Sequence, residues 1–258
     1  MEVSITRIKA FKSCRRLYEL RYIENMLPAQ TPEALQVGKR YHEMLADLYN
    51  NDADLVYGED YVNDYSMERA MARAYMNYIY PHFRVTEAEK HLEVDIGKGD
   101  FLQGYVDAIA DDGCIVEHKT TSMKITEQYE YDLQWDEQIL AYMLLTGKRK
   151  VYYTVCRKPN IRQKKDETDR QFFHRMLTWY DEDTEHKIRL LEIERTDFEV
   201  MDFEESLRQV VDDMKETARF YRNTCNCTKY GRRCEYSGIC LHYDPDQQYI
   251  DYIKKEED

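Results

Sequence analysis

The sequence predicts an α/β fold whose central sheet combines antiparallel and crossover connections. Three short runs of alternating or β-branched residues lie in the middle of the chain, at 91–96, 101–110 and 114–119. Turns that contain glycine separate these runs, which is the pattern of an antiparallel meander. A helical segment at 133–145 then precedes a further strand at 150–156. A strand, a helix and another strand in this order indicate a crossover connection, and therefore an α/β sheet.

Helices are predicted before and after this sheet. Apolar residues recur at helical spacing in three N-terminal segments, at 6–20, 35–50 and 66–80. The first third of the chain is therefore expected to be helical. After the sheet, a strand is expected at 188–195 and a long helix at about 203–221.

One domain is predicted for the whole chain. Its 258 residues can bury a substantial core. With nine glycines, five prolines and no low-complexity linker, the sequence gives no sign of a domain boundary. We divide residues 1–258 into a helical N-terminal part (1–90), a sheet core (91–195), a C-terminal helix with clustered cysteines (196–245) and an acidic tail (246–258).

Composition limits the class of protein. The net charge of −13 argues against non-specific adhesion to nucleic acid, because such binding needs Lys and Arg side chains that face phosphates. No run of 18 apolar residues is present, so we expect no membrane span. The N-terminus lacks the pattern of a signal peptide, and we therefore expect a reducing, cytoplasmic location in which disulfides are rare.

A basic stretch interrupts the acidic sequence. Residues 148–165 contain eight Lys and Arg residues and no acidic one. Such a stretch fits DNA that is held in a local channel. It fits a solvated basic loop equally well.

The predicted meander carries residues suited to phosphodiester hydrolysis. Asp107 lies near the end of its second strand, and Glu117 and Lys119, two residues apart, project from one face of its third. Carboxylates are natural ligands of Mg²⁺ or Mn²⁺, and a lysine beside them could stabilise negative charge that develops at phosphorus. The alternative is an exposed strand face that bears a Glu/Lys pair.

Three further side chains could join this group. Gln138 and Tyr142 are one turn apart on the predicted crossover helix, so both project from one face and could reach a phosphate backbone or Lys119. His42, in an early helix, could add an imidazole ligand to an oxygen-lined metal site, which would favour Mn²⁺. Taken singly, each of the three is more often a packed or surface residue.

These residues, in this order, resemble the RecB-like branch of the PD-(D/E)XK nuclease superfamily. The matching motifs are Gly38-x-x-x-His42, Gly104-x-x-Asp107, Glu117-x-Lys119 and Gln138-x-x-x-Tyr142. The resemblance runs from about Ile5 to Cys240 and implies a restriction-endonuclease-like central mixed sheet flanked by helices. In that family the His, the Asp and the Glu bind the divalent metal and the Lys assists catalysis, while the Gln and Tyr line the DNA-facing side. The resemblance therefore assigns these roles to His42, Asp107, Glu117, Lys119, Gln138 and Tyr142.

The seven cysteines divide into two kinds. Cys114 and Cys156 lie in predicted strands and are expected to be small buried apolar residues. The C-terminal thiols, at a density that free surface cysteines seldom reach, are Cys225, Cys227, Cys234 and Cys240. In a reducing compartment such a cluster indicates either a four-thiolate zinc site or an iron–sulfur cluster. The pair at 225 and 227 is tight for zinc and the pair at 234 and 240 is loose, which disfavours zinc.

The cysteine layout resembles the iron–sulfur subset of RecB-like nucleases, which includes the AddB nuclease domain and the CRISPR adaptation nucleases. In that subset one N-terminal Cys and three near the C-terminus hold a 4Fe–4S cluster, a layout matched by Cys14, Cys227, Cys234 and Cys240. The gap between Cys227 and Cys234 is longer than is common there, and Cys225 is an additional thiol. Either Cys225 or Cys227 could be the ligand, and we choose Cys227. The cluster would join the N-terminal and C-terminal segments.

Together these features predict a cytoplasmic, divalent-metal-dependent deoxyribonuclease with a structural 4Fe–4S cluster. It is expected to be an exonuclease on single-stranded DNA or DNA ends, with Arg15 and Arg16 among its nucleic-acid contacts. Two alternatives stay open: a non-catalytic protein that binds nucleic acid or a protein partner on the same scaffold, and a nuclease with zinc in place of the cluster. DNA repair, recombination and CRISPR adaptation all use this architecture, so the sequence does not specify a pathway or a protein partner.

Overall fold

The computed structural model describes residues 1–50, 66–229, 232–241 and 252–254. Its helices are α1 (Ile5–Ser13), α2 (Arg15–Tyr18), α3 (Glu33–Asn50), α4 (Ser66–Tyr78), α5 (Glu127–Asp132), α6 (Glu137–Thr146), α7 (Asp169–Asp181), α8 (Asp197–Glu216) and α9 (Ser237–Leu241). Its strands are β1 (Glu2–Val3), β2 (Met26–Pro28), β3 (Val85–Gly97), β4 (Asp100–Ala110), β5 (Ile115–Thr121), β6 (Lys150–Arg157), β7 (Ile188–Glu194), β8 (Thr228–Lys229), β9 (Arg232–Arg233) and β10 (Tyr252–Lys254). Within these residues, no helix combines the length and apolar character needed to cross a membrane. The predicted acidic tail lies outside them apart from 252–254.

Six of the described strands form one mixed sheet, in the order β1-β4-β5-β6-β7, with β3 also paired to β4. β4 and β5 are antiparallel, and Ala108 lies opposite Val116. β5 and β6 are parallel and are joined through α6, because parallel neighbours need a crossover connection. β6 and β7 are antiparallel again. The predicted α/β fold with a mixed central sheet flanked by helices is therefore confirmed.

By its internal packing the chain divides into two compact units. We call one the terminal unit, which holds Met1–Pro32, Val94–Gln103 and Asp202–Asp258. The other, the sheet unit, holds Glu33–Glu93 and Gly104–Met201. One nuclease domain over 1–258 stays a prediction, which a single cooperative unfolding transition would support.

The sheet unit has an apolar core on each face of its central strands. Successive residues of a strand face opposite sides, so Val155 and Cys156 of β6 belong to different cores. α6 packs into the first core through Ile139 and Met143. The second core is formed mainly by α3, α4 and α7, through Val37, Tyr41, Leu45, Met71, Tyr75 and Tyr180. These two layers fix the helices that carry the candidate site residues.

In the terminal unit, polar contacts hold α8 against the hairpin of β3 and β4. Arg208 Nε donates to the Ile96 carbonyl at 2.5 Å. Lys215 Nζ donates to the buried carboxylate of Asp100, also at 2.5 Å. The same unit has its own apolar core, formed by Leu20, Met26, Tyr236, Ile239 and Tyr252.

The helix expected at 6–20 is broken at Cys14, which adopts an extended conformation with φ −161° between α1 and α2. The Ser13 carbonyl accepts from the side-chain amides of Asn223 at 2.9 Å and Asn226 at 2.6 Å. The Asn223 backbone N–H donates to Cys14 Sγ at 3.3 Å. Contacts from distant sequence therefore set this break, and apolar spacing alone could not indicate it.

α7 and α8 also differ from the sequence prediction. α7 was not predicted, although Thr168 and Gln171 form a capping box at its start, a pattern that is readable in sequence. α8 begins at Asp197 and ends at Glu216, earlier at both ends than the predicted 203–221. Thr196 caps its start, since its hydroxyl accepts from the Glu199 backbone N–H at 3.2 Å.

Replacing Leu45 by Ala should lower the free energy of unfolding of the sheet unit by about 2–5 kcal/mol. Leu45 is 1% exposed in the core that α3 shares with α4, so the substitution leaves a cavity. Leu35 is 64% exposed on the same helix, and Leu35→Ala should change stability by less than about 0.5 kcal/mol. Urea unfolding followed by circular dichroism measures both, and equal losses would contradict this packing.

Candidate active site

Two carboxylates lie side by side on the antiparallel strands β4 and β5. Ala108 of β4 pairs with Val116 of β5, and the next residue outward on each strand is acidic, Asp107 and Glu117. Asp107 Oδ2 accepts the backbone N–H of His118 at 2.8 Å. The hairpin therefore sets both carboxylates by strand register.

Glu117 is 3% exposed and is surrounded by donors. Its carboxylate accepts from the Lys119 ammonium, from Gln138 Nε2 at 3.1 Å and from the Tyr142 hydroxyl at 2.7 Å. A buried carboxylate requires such partners, because desolvation otherwise disfavours its charge. The alternative of an exposed Glu/Lys pair on a strand surface is therefore wrong.

α6 presents Gln138 and Tyr142 to this carboxylate. The helix starts where Asp136 Oδ1 accepts the Gln138 backbone N–H at 3.1 Å. Four residues separate Gln138 from Tyr142, so they share one face. Gln138 also accepts from Lys119 Nζ at 3.2 Å through its Oε1. One amide thus orients both Glu117 and Lys119.

α3 brings His42 to the second carboxylate. His42 Nδ1 lies 3.1 Å from Asp107 Oδ1. One turn earlier, Gly38 allows α3 to approach β5, since a Cβ at this position would lie 3.2 Å from Thr120 Oγ1. His42, Asp107 and the Glu117 group therefore occupy neighbouring positions in the sheet unit.

The pKa values follow from burial and from these partners. Burial alone would raise the pKa of Asp107, but the contacts with His42 and His118 together outweigh it, and the pKa lies well below its usual range. Burial would lower the pKa of His42, yet the Asp107 carboxylate raises it. Burial raises the pKa of Glu117, and the Lys119 charge opposes that rise. Burial would lower the pKa of Lys119, whereas Glu117 raises it and keeps the ammonium charged.

The donor chemistry of this group fits a divalent cation. Carboxylate oxygens suit Mg²⁺ and Mn²⁺, and an imidazole is tolerated by Mn²⁺. Across the described part of the chain, however, no group of three or more His, Cys, Asp or Glu side chains is arranged as a metal site. The carboxylates of Asp107 and Glu117 are instead bonded to protein donors.

A cleft of about 740 Å³ opens beside Asp107 in the sheet unit. One side of α3 lines it from Ala34 to Asp47, and Glu89 of β3 and Lys158 complete the wall. His42 and Asp107 also line this cleft.

Sequence reasoning missed His118, which lies between Glu117 and Lys119. His118 is 1% exposed. Its Nδ1 lies 2.7 Å from the Thr154 hydroxyl and its Nε2 lies 3.1 Å from the Tyr49 hydroxyl. Burial lowers the pKa of His118 to about 3, so the ring is neutral. The signal available in the sequence was the position of this polar residue between Glu117 and Lys119, the two residues of one motif.

In the terminal unit, four cysteines line one cavity of about 390 Å³: Cys14, Cys227, Cys234 and Cys240. Cys225 is exposed and does not line this cavity. Four thiols are the ligand type of an iron–sulfur cluster or of zinc, but within the described residues these cysteines are not arranged as a metal site. Cys114 and Cys156 are buried, as predicted.

The two arginines that were expected to contact nucleic acid have protein partners. Arg16 bonds to Glu19 and, at 3.0 Å, to Glu24. Arg15 stacks on the Phe11 and Tyr221 rings at 4.9 and 5.0 Å. Their roles in DNA binding stay predictions.

The predicted basic stretch at 148–165 is partly neutralised. Arg149 pairs with Asp197 at 2.6 Å. Lys150 lies 3.4 Å from Asp112 and 3.6 Å from Glu192. These pairs reduce the free positive charge at the start of the stretch, and residues 150–157 form strand β6 and not a loop.

Comparison with known proteins gives a family match over most of the chain. The model of the PD-(D/E)XK nuclease superfamily matches residues 2–241. No curated protein matches the sequence.

Three solved structures are similar to this chain. A phage-related exonuclease from Haemophilus somnus 129PT has 15% identity and a TM-score of 0.36, over 68% of this chain and 83% of its own. A provisionally named exonuclease from Eubacterium rectale has 14% identity and a TM-score of 0.48, over 92% and 91%. An alkaline exonuclease from Laribacter hongkongensis has 12% identity and a TM-score of 0.35, over 68% and 86%.

The buried His118 should make the fold sensitive to acid. Its pKa is lowered to about 3 in the folded chain and is about 6.5 in an unfolded one. Between these values the unfolded chain binds the extra proton, so the stability that neutral His118 contributes is lost as the pH falls through this window. NMR titration without added metal should show a neutral His118 ring at about pH 5. A ring that is half protonated near its unfolded pKa would contradict this.

Proposed function

The chain belongs to the PD-(D/E)XK nuclease superfamily, and on this basis we propose that it is a divalent-metal-dependent deoxyribonuclease. The observation that carries the proposal is the pair Asp107 and Glu117 on adjacent strands, with Lys119 bonded to Glu117. The proposal includes exonuclease action on single-stranded DNA or DNA ends. The proposal also includes a cytoplasmic location.

His42, Asp107 and Glu117 are the residues that would hold Mg²⁺ or Mn²⁺. A metal held by these residues would supply charge stabilisation at the phosphate and would lower the pKa of an attacking water. Asp107 is ready for this role, since its lowered pKa keeps it ionised. Glu117 is held in place by Tyr142 and Gln138.

Lys119 supplies a positive charge beside the carboxylates. Its raised pKa keeps the ammonium protonated at neutral pH, so it can stabilise negative charge on the phosphate during attack. Gln138 holds Lys119 through its Oε1 and so limits where that charge can lie. Gln138 and Tyr142 would also orient the DNA strand.

Asp107→Asn and Lys119→Gln should each lower DNA cleavage by on the order of 100-fold or more. The first removes a charged metal ligand and the second removes the ammonium from Glu117. Release of nucleotides from labelled linear DNA, with Mg²⁺ or Mn²⁺ and with EDTA, measures the effect. Asp111→Asn is the matched control, because Asp111 is exposed and its substitution should leave cleavage unchanged.

Full cleavage by either variant would overturn these catalytic roles. A non-catalytic protein on the same scaffold would instead bind single-stranded or double-stranded DNA without cleaving it at any metal concentration. Unchanged unfolding curves would exclude loss of the fold as the cause of lost activity.

We further propose a 4Fe–4S cluster held by Cys14, Cys227, Cys234 and Cys240, which would place the chain in the iron–sulfur subset of RecB-like nucleases. The shared cavity supports the choice of these four thiols over Cys225. A reducing cytoplasm would keep them free of disulfides. The cluster would tie α1 to the residues after α8 and so stabilise the terminal unit.

Cys227→Ser should abolish iron and sulfide binding and lower the unfolding temperature, while Cys225→Ser should change neither. The reason is that Cys227 lines the cavity and Cys225 is exposed. Iron, sulfide and zinc analysis of anaerobically purified protein measures the difference. Colourless wild-type protein that contains one zinc ion would show that the four thiols hold zinc and not a 4Fe–4S cluster.

A further inference from the structure

The cleft beside Asp107 is cationic at one end and acidic at the other. α3 runs along it from Ala34 to Asp47, about 20 Å at 1.5 Å per residue. Lys158 bonds to the carbonyl of Ala34, at the start of this path. Glu43 and Asp47 lie towards the other end of this path, and Glu89 of β3 also lines the cleft. A polyanion is therefore attracted to one end and repelled from the other.

Lys158 differs from the other lysine of the cleft in its partners. Lys39 lies 3.5 Å from Glu43 on an open surface. The Lys158 ammonium donates to the Ala34 carbonyl at 2.6 Å. Among residues 1–50, 66–229, 232–241 and 252–254, no carboxylate lies within 4.0 Å of it. Burial lowers the pKa of Lys158, since its charge is only partly compensated.

The backbone fixes this lysine at the end of the sheet. Its N–H donates to the Thr121 carbonyl at 2.7 Å, directly after the paired part of β5 and β6. Thr120 lines the same part of the cleft with its hydroxyl towards Gly38. Ala34 and Gly38 are one turn apart on α3, so the Lys158 ammonium and the Thr120 hydroxyl contact neighbouring turns of that helix, on the N-terminal side of His42.

We propose that Lys158 and Thr120 bind an internal backbone phosphate of the DNA strand, next to the phosphate that is cleaved. Charge-assisted contacts from Lys to phosphate are strong and carry no base preference. The strand then reaches Asp107 from the Lys158 end, and the acidic end disfavours phosphates beyond the cleaved bond. This inference rests on the proposed nuclease function, and it defines on which side of the site the substrate is held.

Binding without cleavage tests it directly. A fluorescent single-stranded oligodeoxynucleotide is titrated with wild type, Lys158→Gln and Lys158→Arg in EDTA, at several salt concentrations. Lys158→Gln should raise Kd about tenfold and make the slope of log K against log salt less negative by about 0.7, the loss of one phosphate contact. Lys158→Arg keeps the charge and should keep the slope. Lys124→Gln, at an exposed lysine outside the cleft, is the matched control and should change neither.

Neutral methylphosphonate linkages, placed one at a time, locate the contact. A methylphosphonate at one position should raise the Kd of wild type about tenfold. The same linkage should not raise the Kd of Lys158→Gln any further. Equal sensitivity of both proteins at every position, or an unchanged salt slope in a folded Lys158→Gln variant, would overturn the inference. The nuclease proposal fails separately: wild type that binds DNA through Lys158 but never cleaves it contradicts the function and leaves this contact standing.

Discussion

Two negative charges on adjacent strands are the constraint on which the site depends. Glu117 is 3% exposed, and an unpaired carboxylate at that depth would cost several kcal/mol. Lys119 and Tyr142 donate to it, whereas Asp107 is compensated by His42. Each carboxylate therefore has its own partner side chains, Lys119 and Tyr142 for Glu117 and His42 for Asp107. The β4–β5 register and the apolar packing of α3 bring these partners together.

Much of this arrangement could be predicted from sequence because it depends on local periodicity. Strand alternation places Glu117 and Lys119 on one face of β5, and helical spacing places Gln138 and Tyr142 on one face of α6. The orientation within each pair therefore follows from local secondary structure alone. Turns that contain glycine indicated the antiparallel connections between β3, β4 and β5. His42 is different: its imidazole chemistry and the order of motifs suggested it, but its contact with Asp107 depends on the close approach of α3 to β5 at Gly38.

The remaining features depend on contacts between residues far apart in sequence. The break at Cys14 requires donors from Asn223 and Asn226, and no local pattern reports them. His118 reads as one more polar strand residue until Tyr49 and Thr154 are placed beside it. α7 is an exception, since its capping box was visible in the sequence. The sequence also could not tell which lysines of the basic stretch would be neutralised.

Digestion of two DNA substrates by the purified chain tests the proposed metal-dependent exonuclease activity. A linear duplex or single strand and a covalently closed circle of the same sequence are incubated with increasing Mg²⁺ or Mn²⁺. We expect metal-dependent release of nucleotides from the linear DNA, complete protection by EDTA, and an intact circle. Cleavage that persists in EDTA, or the absence of cleavage at any metal concentration by folded protein that binds the DNA, would contradict the proposed activity.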